Sequence, residues 1–167
     1  MSRNKITKNT VPEGFSVPLA IADFVPVIFF GLSAIKAGGL LHSALFIAGA
    51  AICLVSGVVK ASWKLIAAAR GKNVWPMFLQ MRILMPAGLL MLIFALAVNR
   101  THLNGAAILA GATAFPACIF FALGAIGMAL MCVFAFRLDS SAPKSNWIEQ
   151  ITNSMAQICF FVGLMLV

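Results

Sequence analysis

The amino-acid sequence predicts an all-α integral membrane protein, folded as a five-helix transmembrane bundle. The first observation is composition. Hydrophobic residues make up 62% of the 167 residues and charged residues 10%, whereas a typical soluble domain has about 45–50% and about 25%. The second is pattern, because the apolar residues form continuous runs that suit membrane-crossing helices of about 20 residues rather than alternating strands of about ten. A water-soluble domain is therefore excluded, and so is a disordered chain, which needs low hydrophobicity and high charge.

The chain is expected to consist of a cytoplasmic basic tail over residues 1–15 and a single transmembrane helical bundle over residues 16–167. The first span covers about residues 16–35 and contains Asp23 and Pro26. Proline removes a backbone hydrogen bond from a helix interior and clashes with the preceding turn. We therefore expect the first helix to be kinked.

A tight turn is expected at residues 36–39, which read Lys-Ala-Gly-Gly. The second helix starts near Leu40, and although its apolar run ends near Val59, its helical pattern continues to Arg70. Gly71 is predicted to end this helix, because a glycine commonly follows a basic last turn as the C-terminal cap.

The third span is predicted at about residues 78–98 and the fifth at about residues 147–167. The fourth apolar run, about residues 105–136, would be roughly 48 Å long as a continuous helix, and Pro116 interrupts it. Two interpretations are open for this run: one tilted, kinked helix, or a short re-entrant piece followed by a full span. The charge distribution favours one crossing.

Basic residues orient the bundle. With a single crossing of the fourth run, all but two of the 12 lysines and arginines lie on one side, the exceptions being Lys36 and Arg100. Two crossings would weaken this bias. Because basic residues collect on the cytoplasmic side, the N-terminus is predicted inside and the C-terminus outside, in the plasma (inner) membrane of a prokaryote.

The net charge of +8 is therefore interpreted as a topological signal, and nucleic acid is not expected as a partner. Three tryptophans fall at the same interface, as an aromatic belt would place them. These are Trp63, Trp75 and Trp147.

Asp23 is the sharpest candidate for a functional residue. It lies about seven residues inside the first span, where a charged group is costly and usually faces protein or water. Pro26 has no N–H, so the carbonyl of Ala22 loses its helical partner beside this carboxylate. A carboxylate next to a free carbonyl resembles a cation- or proton-binding arrangement in a broken helix. The alternative is a structural ion pair with a neighbouring base.

Lys60 is the base of the second helix that we expect to lie within reach of Asp23. The alternative for Lys60 is a side chain that extends its ammonium to the lipid headgroups. For Lys64, Arg70 and Lys72, that headgroup position is the default interpretation.

The fifth helix carries a polar stripe of Asn146, Glu149, Asn153 and Gln157, spaced three, four and four residues apart. This spacing places them on one face of a helix. A stripe that reaches so far into the membrane must face the bundle, a cavity or another subunit. Two interpretations are open: a cavity lined for a solute, or amides that join helices by hydrogen bonds.

Arg82, four residues into the third span, completes the set, because a guanidinium stays charged and needs an anion. The candidate ligand- or ion-binding residues come from four helices at one predicted depth. They suggest a polar pocket that is open to the cytoplasm and closed to the outside. They are Asp23, Lys60, Arg82, Glu149, Asn153 and Gln157.

No metal site, cofactor or catalytic residue is predicted. The four cysteines lie within apolar runs without a CxxC pattern, which favours packing over redox chemistry. His42 and His102 fall in different connections, and a closed metal site needs three or four ligands.

Three functions remain open. The first is a small-solute transporter or channel subunit, which with so few helices implies a homo-oligomer. The second is an accessory or substrate-binding subunit of a larger membrane complex. The third, which we do not favour, is an intramembrane enzyme acting on a lipid or lipophilic metabolite. The expected partners are the lipid bilayer, a small-molecule or ion ligand, and copies of the chain or another membrane subunit.

Overall fold

The computed structural model describes residues 16–99, 105–138 and 142–167. Among these residues the chain is helical and contains no β-strand. The basic tail over residues 1–15, and the connection that contains His102, lie outside the described residues. The helices are α1 (Val17–Ala22), α2 (Phe24–Leu41), α3 (Ala44–Arg70), α4 (Trp75–Val98), α5 (Gly105–Thr113), α6 (Ala117–Arg137) and α7 (Pro143–Met165).

Four helical segments in this part of the chain are long and apolar enough to cross a membrane. They are α1 with α2, α3, α4, and Ala117–Phe134 of α6. Large apolar side chains also cover the outside of the bundle, with Leu90 66% and Phe136 81% exposed. Such a surface suits lipid rather than water. The protein is therefore an all-helical protein with the character of a multi-pass membrane protein.

The first apolar run is divided at Asp23. Ser16 starts α1 by accepting a hydrogen bond from the Leu19 N–H on its Oγ (3.4 Å), and Asp23 separates α1 from α2. Pro26 lies one turn beyond this point, in the first turn of α2, where a missing N–H is tolerated. The polar break thus occurs at the depth where the sequence places Asp23.

The turn expected at residues 36–39 is wrong, because those residues are helical and α2 continues to Leu41. The chain reverses instead at His42, which has a left-handed φ of 47°, and Ser43 caps α3 by accepting the Phe46 N–H (3.3 Å). Gly38 permits close packing here, since a Cβ on it would lie 2.8 Å from Ile47 Cγ1.

The C-terminal end of the second helix agrees with the sequence. The helix runs as one piece to Arg70, and Gly71 ends it with a φ of 59° and an N–H that bonds to the Ala67 carbonyl. This left-handed conformation favours glycine.

The helices form a curved row in the order α4, α3, α1 and α2, α7, α6. Contacts between individual residues show whether neighbouring helices are parallel or antiparallel. Gly57 meets Val27 while Gly31 meets Leu54, so α2 and α3 are antiparallel. Phe29 packs on Phe161, and Ala22 is bonded to Gln150, so α2 and α7 run in parallel. One end of the bundle, called here the basic end, therefore collects the end of α3 and the starts of α1, α4 and α7.

The fourth apolar run contains two helices, because α5 ends at Thr113 and α6 begins at Ala117. The nine residues of α5 rise only about 13 Å, less than half the ~30 Å hydrocarbon thickness. The full-length segment is α6, which packs along α7 through Gly124 and Gly127. Within this run, α6 is therefore the segment that is long enough to cross a membrane.

Candidate functional site

A cavity of about 290 Å³ opens among the helices toward the basic end. Its polar lining comes from three elements: Asp23 at the α1–α2 break, Lys60 of α3, and Asn153 and Gln157 of α7. The rest of the wall is apolar and includes side chains from α4 and α6. Four of the six candidate site residues are therefore brought together around one space, called here the polar cavity.

Asp23 is paired with Lys64 rather than with Lys60. The distance from Asp23 Oδ2 to Lys64 Nζ is 2.9 Å, and the two side chains are 9% and 17% exposed. The expected headgroup position of Lys64 is therefore wrong: its ammonium turns inward to the break in the first span. Lys64 pairs with Asp23 because it lies one turn nearer the basic end than Lys60 does, at the same level as Asp23.

The Ala22 carbonyl, which has no helical N–H partner because residue 26 is a proline, accepts a hydrogen bond from another helix. Gln150 Nε2 donates to the Ala22 carbonyl oxygen at 2.9 Å, and Gln150 is 5% exposed. An unpaired carbonyl at this depth would be expensive, so this bond stabilises the break. It also fixes α7 against the first span.

Gln150 is a residue that the sequence reasoning missed. Asn146, Gln150, Asn153 and Gln157 are spaced four, three and four residues apart, which describes the inward face of α7 as well as the spacing that includes Glu149 does. Asn146 and Gln150 are both buried, whereas Glu149 is half-buried. The signal was present in the spacing, but the register of α7 against α2 is needed to choose between the two neighbours.

Lys60 lines the polar cavity without an ion pair or hydrogen bond among the described residues. Lys64, Asp23 and Glu149 are charged groups within electrostatic range of Lys60. Of the two carboxylates, only Asp23 lines the cavity, and it is held by Lys64. The cavity wall therefore contains one ammonium group, that of Lys60, for which the wall supplies no carboxylate partner.

Among the described residues, the two amides of the wall keep most of their hydrogen-bonding capacity available. Gln157 Nε2 lies 3.8 Å from Met128 Sδ, and a thioether is only a weak acceptor. Asn153 lines the cavity one turn closer to the basic end. Both are half-buried, so each can present a donor or an acceptor to a small molecule.

Arg82 and Glu149 do not line the polar cavity. Arg82 is exposed, and its guanidinium carbon lies 5.1 Å from the centre of the Phe78 ring, a cation–π geometry. Phe78 packs in turn against Trp63 and Trp75. Trp63 is 2% exposed and donates its indole N–H to Asn73 Oδ1 (3.0 Å), so its side chain packs inside the bundle.

A second cavity of about 330 Å³ adjoins the polar one and extends away from the basic end. The two share Phe30, Leu92 and Gln157 as lining residues. The second cavity, called here the apolar cavity, is bounded mainly by phenylalanine, alanine and leucine. Ser33 also lines it, and its buried Oγ has no hydrogen-bond partner in the described structure. A polar cavity and an apolar cavity therefore lie next to each other.

This arrangement is suited to holding a small molecule with a polar end and an apolar end. Among the described residues, no three His, Cys, Asp or Glu side chains lie close enough together to hold a metal ion. The thiol of Cys53 lines the polar cavity and lies 3.8 Å from the Met85 carbonyl oxygen, as a buried packing cysteine does.

Comparison with protein family models, with curated proteins and with solved structures finds no match for this chain. What the protein does is therefore inferred from the two cavities themselves.

Proposed function

We propose that the protein is a small-solute transporter or channel subunit, in which the ligand moves through the polar and apolar cavities. The observation that carries this proposal is that the two cavities are adjacent and share Phe30, Leu92 and Gln157 as lining residues. Along the first span the lining runs from Asp23 to Ala37. That distance is about 21 Å at 1.5 Å per residue, or some two thirds of a ~30 Å hydrocarbon core.

The proposed setting is a bundle of five spans in the plasma (inner) membrane of a prokaryote, with the N-terminus inside and the C-terminus outside. The basic end then faces the cytoplasm, in agreement with the positive-inside rule. In this arrangement α6 makes the fourth crossing and α7 the fifth, while α5 enters the membrane only part of the way. The candidate site lies in the cytoplasmic half, where the polar cavity is.

The roles of the site residues follow from their positions. Lys60, Asn153 and Gln157 contact the solute, and Asp23 with Lys64 holds the broken first span in place. A homo-oligomer remains part of the proposal, although the cavities lie within one chain and a copy is not required to complete them. The alternatives are an accessory subunit, in which the cavities bind a ligand without passage, and an intramembrane enzyme.

Thiol accessibility tests for a pathway without knowledge of the solute. The native cysteines are replaced by alanine, and Ser33→Cys is introduced in the apolar cavity. Modification by a membrane-impermeant, water-soluble methanethiosulfonate is then measured on right-side-out and inside-out vesicles. For a transport pathway, we expect the Ser33→Cys thiol to be modified from both faces.

Ser56→Cys is the matched control, because Ser56 is fully buried outside both cavities and its Oγ also lacks a hydrogen-bond partner in the described structure. Neither substitution therefore removes a hydrogen bond. Modification of Ser33→Cys from one face only would identify a binding pocket, as in an accessory subunit or an enzyme, and would overturn transport. A rate as low as that of Ser56→Cys from both faces would do the same.

A further inference from the structure

We propose that the ligand is a single-chain amphiphile with an anionic head of the carboxylate class. Its head lies at Lys60 in the polar cavity, and its tail lies in the apolar cavity. This inference rests on the proposed function, because it names the class of solute for the same site. Three features support it: the ammonium group of Lys60, which has no ion pair among the described residues, the two amides that line the same cavity, and the adjacent apolar cavity.

The sign of the head group follows from the charges on the wall. Lys60 has no ion pair among the described residues, and a charge at such a depth is costly without a partner. The one carboxylate of the wall, Asp23, is 2.9 Å from Lys64. A bound anion supplies the partner that the protein does not, whereas a cation would meet Lys60 with Asp23 already occupied.

The amides of Asn153 and Gln157 favour an oxygen-bearing head. Their N–H₂ groups donate hydrogen bonds, and a carboxylate accepts several at once. An ammonium group and two amide donors around one cavity are a suitable environment for a carboxylate. These groups come from α3 and α7, on two sides of the same cavity.

The tail follows from the second cavity. Its lining includes Phe46, Phe121 and Phe160 and offers no charged group, so a solute with a second charged end would have to desolvate that end without a counter-charge. The two cavities, about 290 and about 330 Å³, are each at the lower end of the ~300–1,000 Å³ of small-molecule sites. Because their linings follow one another along α2 and α7, they suit an extended chain better than a compact solute.

Binding of dodecanoate to the full chain in lipid nanodiscs tests the head group. Dodecanol and dodecyltrimethylammonium, at matched chain length, are the neutral and cationic competitors. We expect dodecanoate to bind most tightly, and Lys60→Gln to weaken its binding about tenfold or more, as for the loss of a charged hydrogen bond. Lys60→Arg should restore most of the affinity, and Lys72→Gln, at an exposed loop lysine, should change nothing.

Ala34→Leu tests the tail, because Ala34 lines only the apolar cavity and a leucine there would fill part of it. We expect it to weaken dodecanoate much more than hexanoate. The matched control is Ala125→Leu, the same change on an exposed face of α6, which should leave both probes unaffected. Equal effects of the two substitutions, or no dependence on chain length, would overturn the placement of the tail.

Glu149→Gln separates the anion proposal from a cation site. Glu149 lies within electrostatic range of Lys60 without lining the cavity, so its removal should leave dodecanoate affinity unchanged or increase it. Preferred binding of dodecyltrimethylammonium, weakened by Glu149→Gln, would overturn the proposal.

The two proposals fail in different ways. If dodecanoate binds in a Lys60-dependent manner but Ser33→Cys is reached from one face only, the ligand class stands and transport is wrong. If Ser33→Cys is reached from both faces but Lys60→Gln binds dodecanoate as well as the unaltered chain does, the pathway stands and the ligand class is wrong.

Discussion

Asp23 lies close to two lysines of α3 that have different surroundings. Lys64 forms the ion pair at 2.9 Å, while Lys60, one turn further from the basic end, faces the cavity. The pair neutralises the carboxylate at the break in the first span. As a result the Asp23–Lys64 ion pair and the ammonium group of Lys60 lie one turn apart along α3. A ligand at Lys60 therefore does not have to compete with the ion pair that stabilises the break between α1 and α2.

Substitution of the ion pair should show this separation in the stability of the protein. Lys64→Gln leaves the buried carboxylate of Asp23 without the ammonium group that it contacts at 2.9 Å, and breaking a buried ion pair costs about 3–5 kcal/mol. Asp23→Asn in the same chain removes that carboxylate charge, so we expect the double variant to unfold at a higher temperature than Lys64→Gln alone. The coupling free energy should fall in the range of about 0.5–3 kcal/mol for residues in contact. Thermal unfolding in detergent measures it.

Lys60 provides the control for this cycle. Because Lys60 makes no ion pair with Asp23, the coupling between Asp23→Asn and Lys60→Gln should be clearly smaller. Equal coupling for the two lysines would mean that Asp23 is shared between them and that the pair is not specific.

The broken first span shows how far single residues can be interpreted from the sequence. Pro26 frees the Ala22 carbonyl, and that consequence follows from covalent structure alone. Its partner could not be predicted, because Gln150 is distant in the sequence and the register between α2 and α7 is set by packing along both helices. Likewise Lys60 and Lys64 lie one turn apart on the same side of α3. Which of them meets Asp23 depends on the depth at which α1 ends.

At the level of helices, α3 and α4 approach until their backbones touch. A Cβ on Gly88 would lie 2.5 Å from Cys53 Sγ and 2.9 Å from the Gly49 carbonyl oxygen. Gly49 is equally constrained, with Met91 Cβ at 2.9 Å from its own Cβ position. Small residues allow this kind of packing where both helices face an apolar solvent. The contact keeps the α4 wall of both cavities in place.

Gly88→Ala should therefore destabilise the bundle although alanine is the better helix former. Overpacking of this kind costs about 1–3 kcal/mol, and the melting temperature in detergent should fall. Gly39→Ala is the matched control, because Gly39 is also helical but has nothing within 4 Å of its Cβ position. It should be neutral or stabilising, by up to about 1 kcal/mol. A decrease of the same size for both variants would refute a specific role for the α3–α4 contact.

A helix end could be predicted from the sequence where the conformation of a single residue determines it. It could not be predicted where packing against another helix determines it. Gly71 ends α3 as expected, because its conformation is a property of the residue itself. Gly38 and Gly39 suggested a turn, yet α2 continues through them and the chain reverses at His42. Glycine marks both turns and close helix packing, and only the neighbouring helix distinguishes the two: Gly38 is buried against Ile47.

For the whole molecule, the curved row of helices places α4 and α6 at opposite ends. Both contribute to the wall of the polar cavity, through Met85 and Leu89 on one side and Met128 on the other. The middle of the row, α2 with α3 and α7, supplies its polar groups. The site is thus built inside one chain, and the polar side of α7 is a consequence of that construction rather than a sign of exposure to water.

The number of crossings depends on α7. Its 23 residues suffice for a span, but it is not among the segments selected by hydropathy, because its polar face lowers the average. That face is buried in the bundle at Asn146 and Gln150, and the exposed Ile148, Ile151 and Met155 are apolar. A helix that inserts against partners does not have to be apolar all round.

We therefore expect α7 to cross and Val167 to lie outside the cell. Alkaline phosphatase, active only outside, and green fluorescent protein, fluorescent only inside, are fused in turn after Val167 and after Gly71. Phosphatase activity at Val167 and fluorescence at Gly71 are expected from the distribution of lysine and arginine. Fusions after His42, at the opposite end of the bundle, should be active as the phosphatase and thereby control for the orientation of the first span. Fluorescence at Val167 would mean an even number of crossings and would place α7 along the membrane surface or within the bundle as a non-spanning helix.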